Sequence, residues 1–186
     1  AMTVVCSDKT GTLTMNEMTV KAIITADCCY RVEGDSYEPQ GRIFLEGSDE
    51  PVQVQPGTVL ETWLRTIDLC NDSQLIQDER GLWGITGGPT EGALKVLAAV
   101  EARLVAKIPF DSQYKYMSTL QHIDGDARVL ITGAPDVIFG MCREQMSRQG
   151  AVPFEAQYWE EEMARFARQG LRMVAAACKP ASLDAT

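Results

Sequence analysis

The sequence predicts an α+β fold, a twisted antiparallel sheet flanked by pairs of helices. Three observations predict it. Tyr116 to Ile123 and Arg128 to Thr132 bracket Asp124-Gly125-Asp126, a strong hairpin signal. Helical periodicity recurs over residues 56–70, 90–105 and 154–169. Hairpin-linked strands alternate with helix pairs, rather than each strand with one helix as a parallel sheet requires.

Taken in order, Thr3 to Cys6 is a short β-branched run, followed by the polar loop Ser7 to Thr12. The chain opens inside that strand, which reads as an excised piece of a larger protein, with Ala1 and Met2 as a cloning remnant. Met18 to Cys29 reads as one strand on its apolar and β-branched content. Residues 35–56 are rich in Gly, Pro, Ser and acids and read as hairpin and loop, with a short strand at Arg42 to Leu45. Pro56-Gly57-Thr58 opens a helix through Cys70. Leu82 to Ile85 reads as a strand, and Thr86 to Pro89 as a turn. A helix from Thr90 to Val105 follows, with Glu91 in its first turn. Pro135 to Cys142 is a short helix with Pro in its first turn. Phe154 to Gln169 is an amphipathic helix ended by Gly170, and Leu171 to Cys178 is an apolar last strand.

Composition narrows the partners. The 186 residues carry 26 acids against 17 bases, a formal charge of −9. That disfavours nucleic acid and anionic membrane surfaces, which need a basic face. An anionic ligand then needs a local cluster of cations or backbone N–H groups. Six cysteines form no C-x-x-C pair, so a reduced setting without zinc is the reading; Cys28-Cys29 reads as small buried side chains rather than a thiol metal site. No apolar run approaches the roughly 20 residues that span a bilayer.

Ser7-Asp8-Lys9-Thr10-Gly11-Thr12-Leu13-Thr14 is the stretch richest in chemistry. A carboxylate attacks the γ-phosphorus of ATP only with a cation and a metal to offset the repulsion of two anions. Lys9 and the Gly11-Thr12 loop are suited to hold phosphoryl oxygens. No G-x-x-x-x-G-K-[ST] pattern occurs anywhere, so if ATP is bound it is held by other means.

The octet resembles the phosphorylation signature of the P-type ATPases. That resemblance makes Asp8 the phosphorylated nucleophile, beside Lys9. Thr10 then lends its carbonyl to Mg²⁺ and its hydroxyl to the phosphoryl group, so Asp8 and Thr10 are the expected Mg²⁺ ligands. Later motifs of the same family follow in order. Gly88-Pro89-Thr90-Glu91-Gly92-Ala93-Leu94 resembles its nucleotide-domain motif, in which the acid at Glu91 approaches the adenine amino group. Ile108 to Met117 resembles its Phe…Lys motif: Phe110 would stack on adenine, a contact of roughly 1–3 kcal/mol, and Lys115 would lie near the phosphates. Met117 reads as core filling. Thr132-Gly133-Ala134-Pro135-Asp136 resembles its Lys-Gly-Ala-Pro motif, with Thr132 where most members carry Lys. The backbone at Gly133 is then expected to do that part, with affinity at the weak end of the family; Thr132→Lys is expected to bind more tightly. Gly170 to Ala175 resembles the motif whose arginine contacts the phosphates, nominating Arg172. Leu69 to Ser73 and Ser36 to Gly41 look like segments of the calcium-pump-like branch. His122 is given no role.

On this resemblance, residues 1–17 are the first strand and signature loop of the phosphorylation domain. Residues 18–178 are the nucleotide-binding domain, and residues 179–186 the return hinge. The expected ligands are ATP or ADP, with Mg²⁺ in the full-length pump. The expected partners are the pump's own phosphorylation, actuator and transmembrane domains; the piece itself is expected to be a monomer. The setting is a cytoplasmic domain of an integral membrane protein. Without the later Mg²⁺-binding motifs the piece is expected to bind nucleotide without turnover, at on the order of −4 to −6 kcal/mol. Two other readings stay open. One is a phosphatase of the same aspartate-nucleophile superfamily, disfavoured because Thr10 stands where those enzymes place a second Asp. The other is a non-catalytic nucleotide sensor or regulatory surface.

Overall fold

A computed structural model describes residues 17–101, 116–123 and 126–181. Its architecture is α+β, with four helices and antiparallel pairing in every sheet. The strands divide among separate sheets rather than forming one. Ala22–Ile24 (β1), Cys29–Glu33 (β2) and Arg42–Leu45 (β3) make one three-stranded sheet. Gln74–Gln77 (β4) pairs with Trp83–Thr86 (β5), and Glu144–Ser147 (β8) with Gly150–Pro153 (β9). Tyr116–Ile123 (β6), Asp126–Gly133 (β7) and Ala175–Pro180 (β10) form the other three-stranded sheet, with β7 in the middle.

The expected strand at Met18 to Cys29 is broken by a turn. Thr25 N–H donates to the Cys28 carbonyl at 2.9 Å, and Cys28 N–H donates to Thr25 Oγ1 at 3.2 Å. This folds β1 back onto β2 before the β-branched run can extend. Leu171 to Val174 lies outside the ladder of β10, so the last strand starts later than its apolar run. Strands β4, β8 and β9 have no counterpart in the sequence expectations.

Helix α1, Val59–Leu69, begins where Thr58 Oγ1 accepts from Glu61 N–H at 3.2 Å. That contact satisfies one of the helix's orphan donors. Leu60, Leu64 and Ile67 recur at helical spacing and are buried, Ile67 completely. They form the main core with Ile23, Val32, Ile43 and residues of helix α2, Pro89–Glu101. A second, smaller core joins Cys70, Met117, Ile123 and Leu130, so Met117 does fill a core. Lys95 of α2 forms a nearly buried ion pair with Asp68 of α1 and also donates to the Asp68 carbonyl at 3.2 Å. Helix α3 is Pro135–Phe139, shorter than expected, and helix α4 is Ala156–Ala167. Gly170, at φ +74°, ends the turn after α4; there Leu171 N–H donates back to the Phe166 carbonyl at 3.2 Å. No helix among the described residues is long and apolar enough to cross a membrane.

Candidate functional site

Antiparallel register places three chain segments at one end of the β6–β7–β10 sheet. Gly133, the last residue of β7, stands opposite Tyr116 of β6 on one side and Ala175 of β10 on the other. Tyr116 opens β6 and follows Lys115 directly in the chain. Ala175 opens β10, three residues after Arg172. The Gly133 backbone and the Arg172 segment are therefore neighbours. Phe110 and Lys115 lie outside the described residues, as do Asp8, Lys9 and Thr10.

Glu91 reaches this sheet end through a hub at the C-terminus of α1. Cys70 N–H closes the helix on the Thr66 carbonyl at 2.9 Å. Thr132 Oγ1 donates to the Cys70 carbonyl at 3.1 Å, and Cys70 Sγ donates to the Met117 carbonyl at 3.3 Å. Burial pushes the Cys70 thiol up, so it keeps the proton that it donates at neutral pH. Asn71, buried, donates from Nδ2 to the Glu91 carbonyl at 2.8 Å and accepts on Oδ1 from Ser73 N–H at 2.9 Å. The adjacent pair Cys70–Asn71 thus ties together the end of β7, the start of β6 and the first turn of α2.

A Cβ on any of the glycines around Glu91 would oblige a neighbour to shift. A Cβ on Gly92 would meet Ile85 Cδ1 at 2.2 Å, so α2 lies directly on β5. Gly87 takes φ +105° over Ser73, whose Oγ lies 2.5 Å from the ideal Cβ position. At Gly88 a Cβ would meet Glu91 Oε2 at 2.3 Å: the glutamate carboxylate lies over the bare Cα.

Thr132 is 7% exposed and its hydroxyl is engaged with Cys70, so its side chain faces the hub. Gly133 is half-buried and Arg172 exposed. A cleft of about 1000 Å³ opens over the sheet, bordered by Tyr116, Ser118, Ile131, Arg172, Ala175 and, from α2, Thr90; of the nominated residues Arg172 borders it, while Glu91 and Gly133 do not. That is large enough for a nucleotide-sized ligand. Sequence reasoning gave no role to Asn71 or to Gly88. A signal was present in both cases: an Asn just past a helix end, and a Gly three residues before the acid.

The pattern of the family described as P-type ATPase, cytoplasmic domain N, matches residues 59–186. Over 193 aligned positions the chain is 40% identical to Cation-transporting ATPase pma1 of Synechocystis sp., covering 95% of this chain and 21% of that protein. It is 34% identical over 191 positions to Calcium-transporting ATPase of Bacillus subtilis, again covering 95% and 21%. It is 31% identical over 198 positions to Calcium-transporting ATPase type 2C member 2 of Mus musculus, covering 95% and 20%. The chain spans about a fifth of the length of these relatives.

Proposed function

The chain belongs to the family of the P-type ATPase cytoplasmic N domain, and on that premise we propose that it binds ATP for a cation-transporting pump. The adenine lies against Gly133 with its exocyclic amine toward Glu91. The phosphates extend toward Lys115 and Arg172, and Phe110 stacks on the base. Residues 18–178 are the nucleotide-binding domain. Residues 1–17 carry the phosphorylation segment and residues 179–186 the return hinge. One observation carries this reading: Gly133 stands in register between Tyr116 and Ala175 while the Cys70–Asn71 hub ties the same sheet end to Glu91. The side-by-side pairing of Tyr116, Gly133 and Ala175 supports the reading.

In the whole pump the nucleotide delivers its γ-phosphate to Asp8 as the domains close, and hydrolysis of the aspartyl-phosphate drives cation transport across a membrane. The names of the relatives favour calcium or a similar cation. This chain would sit on the cytoplasmic side as part of an integral membrane protein, with the phosphorylation, actuator and transmembrane domains as partners. Mg²⁺ would supply charge neutralisation at Asp8 and Thr10. No group of three or more His, Cys, Asp or Glu among the described residues is placed to hold a metal ion. The chain's own part is to bind and orient the nucleotide.

Titration of the 186-residue chain with ATP, followed by NMR, tests the proposal. Shifts centred on Glu91, Gly133 and Arg172 at high-micromolar to millimolar ATP are expected, weakened roughly tenfold or more by Phe110→Ala. Lys115→Ala is expected to weaken the triphosphate more than adenosine. Spectra unchanged by millimolar ATP would remove the assignment.

A further inference from the structure

Within the proposed nucleotide site, the residue that reads the base is Glu91, and nothing so far explains what aims it. A glutamate on the first turn of a helix has three rotatable bonds and ordinarily samples several rotamers. Here two features bear on where it goes: one fixes the turn that carries it, the other leaves room for the carboxylate. Asn71 holds the carbonyl of Glu91 itself at 2.8 Å, so the turn that carries the side chain is anchored from α1 and not only by its own helix. The Asn71 side chain is in turn held by Ser73 N–H at 2.9 Å, and Ser73 underlies Gly87. The carboxylate then lies over Gly88, in space that any other residue's Cβ would take.

We infer that Asn71 and Gly88 are positioning residues for base selection: Asn71 fixes the turn beneath Glu91, and Gly88 is the seat that directs its carboxylate toward the exocyclic amine of adenine. The inference rests on the reading of Glu91 as the amine's acceptor. A carboxylate discriminates an amine from a carbonyl at the same ring position because the first donates a hydrogen bond and the second presents a lone pair to an anion. The discrimination holds only while the carboxylate keeps its direction. The same seat does nothing for the ribose or phosphates, which are common to all purine nucleotides.

The two residues separate aim from fold. At Gly88 the atom that a new Cβ meets is the far end of a flexible side chain, and no left-handed backbone is required there, so Gly88→Ala displaces the carboxylate and leaves the backbone in place. Asn71→Asp removes the donor to Glu91 and keeps the acceptor for Ser73 N–H.

The experiment measures affinity of the 186-residue chain for ATP and for inosine triphosphate, which carries an oxo group in place of the amine, in wild type, Gly88→Ala and Asn71→Asp, each with its melting temperature. Wild type is expected to prefer ATP by about tenfold, in line with a hydrogen bond to a charged group. Gly88→Ala is expected to reduce that preference to about twofold or less, with inosine triphosphate affinity and melting temperature unchanged. Asn71→Asp follows in the same direction with some loss of melting temperature. If Gly88→Ala retains the full preference, or weakens both nucleotides equally, the inference is wrong while nucleotide binding stands. If wild type binds neither nucleotide, the functional reading fails and takes the inference with it. Equal binding of the two by wild type rejects Glu91 as the amine's acceptor, and with it the roles of both residues.

Discussion

Helices α1 and α4 are nearly the same length and both are amphipathic, yet they are held in opposite ways. Helix α1 has a threonine cap and buries Leu60, Leu64, Thr66 and Ile67. Helix α4 has no side-chain cap and buries only Phe166. It is attached instead by polar and ring contacts. Tyr158 Oη donates to the Thr25 carbonyl at 2.6 Å, Trp159 Nε1 donates to Gln145 at 2.8 Å, and Arg165 reaches Glu46 at 2.9 Å. Phe139 lies 5.5 Å from Phe154 and 5.3 Å from Trp159, ring centre to ring centre. Each contact of this sort contributes about 1 kcal/mol or less, whereas each fully buried aliphatic side chain contributes about 1.5–3. On these magnitudes α1 is the frame and α4 an outer arm. The hub that positions Glu91 and Gly133 grows from the end of the frame; Arg172 hangs from the end of the arm.

The sharpest way to break this contrast is Lys95→Met. It leaves the Asp68 carboxylate nearly buried between α1 and α2 without its partner, and a loss of about 3–5 kcal/mol is expected in urea unfolding. A loss under 1 kcal/mol would mean that the frame does not depend on that pair.

Thr132→Lys tests the hub next. The change removes the bond to the Cys70 carbonyl and places an ammonium at a site 7% exposed, so a stability loss of about 1–3 kcal/mol is expected. The sequence resemblance expects tighter ATP binding from the same variant. Melting temperature and ATP affinity measured together separate the two: an unchanged melting temperature breaks the inward placement of Thr132, and unchanged or weaker affinity breaks the expectation from the family motif.

The smallest effect belongs to the arm. Burial, and then the charges of Glu162 and the neighbouring cysteines, push the Tyr158 hydroxyl up to about 12 from its ordinary value of 10.0. A group whose folded pKa is raised contributes stability in full below pH 10 and loses it as pH climbs through 12. Tyr30, also pushed up to about 12, chiefly by burial, does the same within the frame. Tyr158→Phe is therefore expected to cost about 1 kcal/mol at neutral pH and to flatten part of the alkaline loss, read by circular dichroism and tyrosinate absorbance. An alkaline transition identical to wild type would show that this hydroxyl does not hold the arm.

Much of the frame was legible from local pattern. The spacing of Leu60, Leu64 and Ile67 and the threonine before them predicted α1 because burial and capping are both written within one helix. The β6–β7 hairpin was legible because long alternating strands flank a turn signal. By contrast, β4, β8 and β9 are four residues each and have few β-branched side chains. Their pairing comes from the partner strand, not from intrinsic preference. The break at Thr25 to Cys28 was hidden for a related reason. An apolar run carries no mark of where a side-chain hydroxyl will capture the backbone.

Local pattern sufficed for the α+β antiparallel class, the family motifs and the nomination of Glu91, Phe110, Lys115, Gly133 and Arg172, since motif and periodicity are properties of neighbours along the chain. Only the tertiary structure decided that β7 lies between β6 and β10, that Thr132 turns inward to Cys70, and that Asn71 anchors the helix turn of Glu91. The last two depend on hydrogen bonds between residues 62 and 20 positions apart, and no local pattern encodes which distant donor meets which carbonyl.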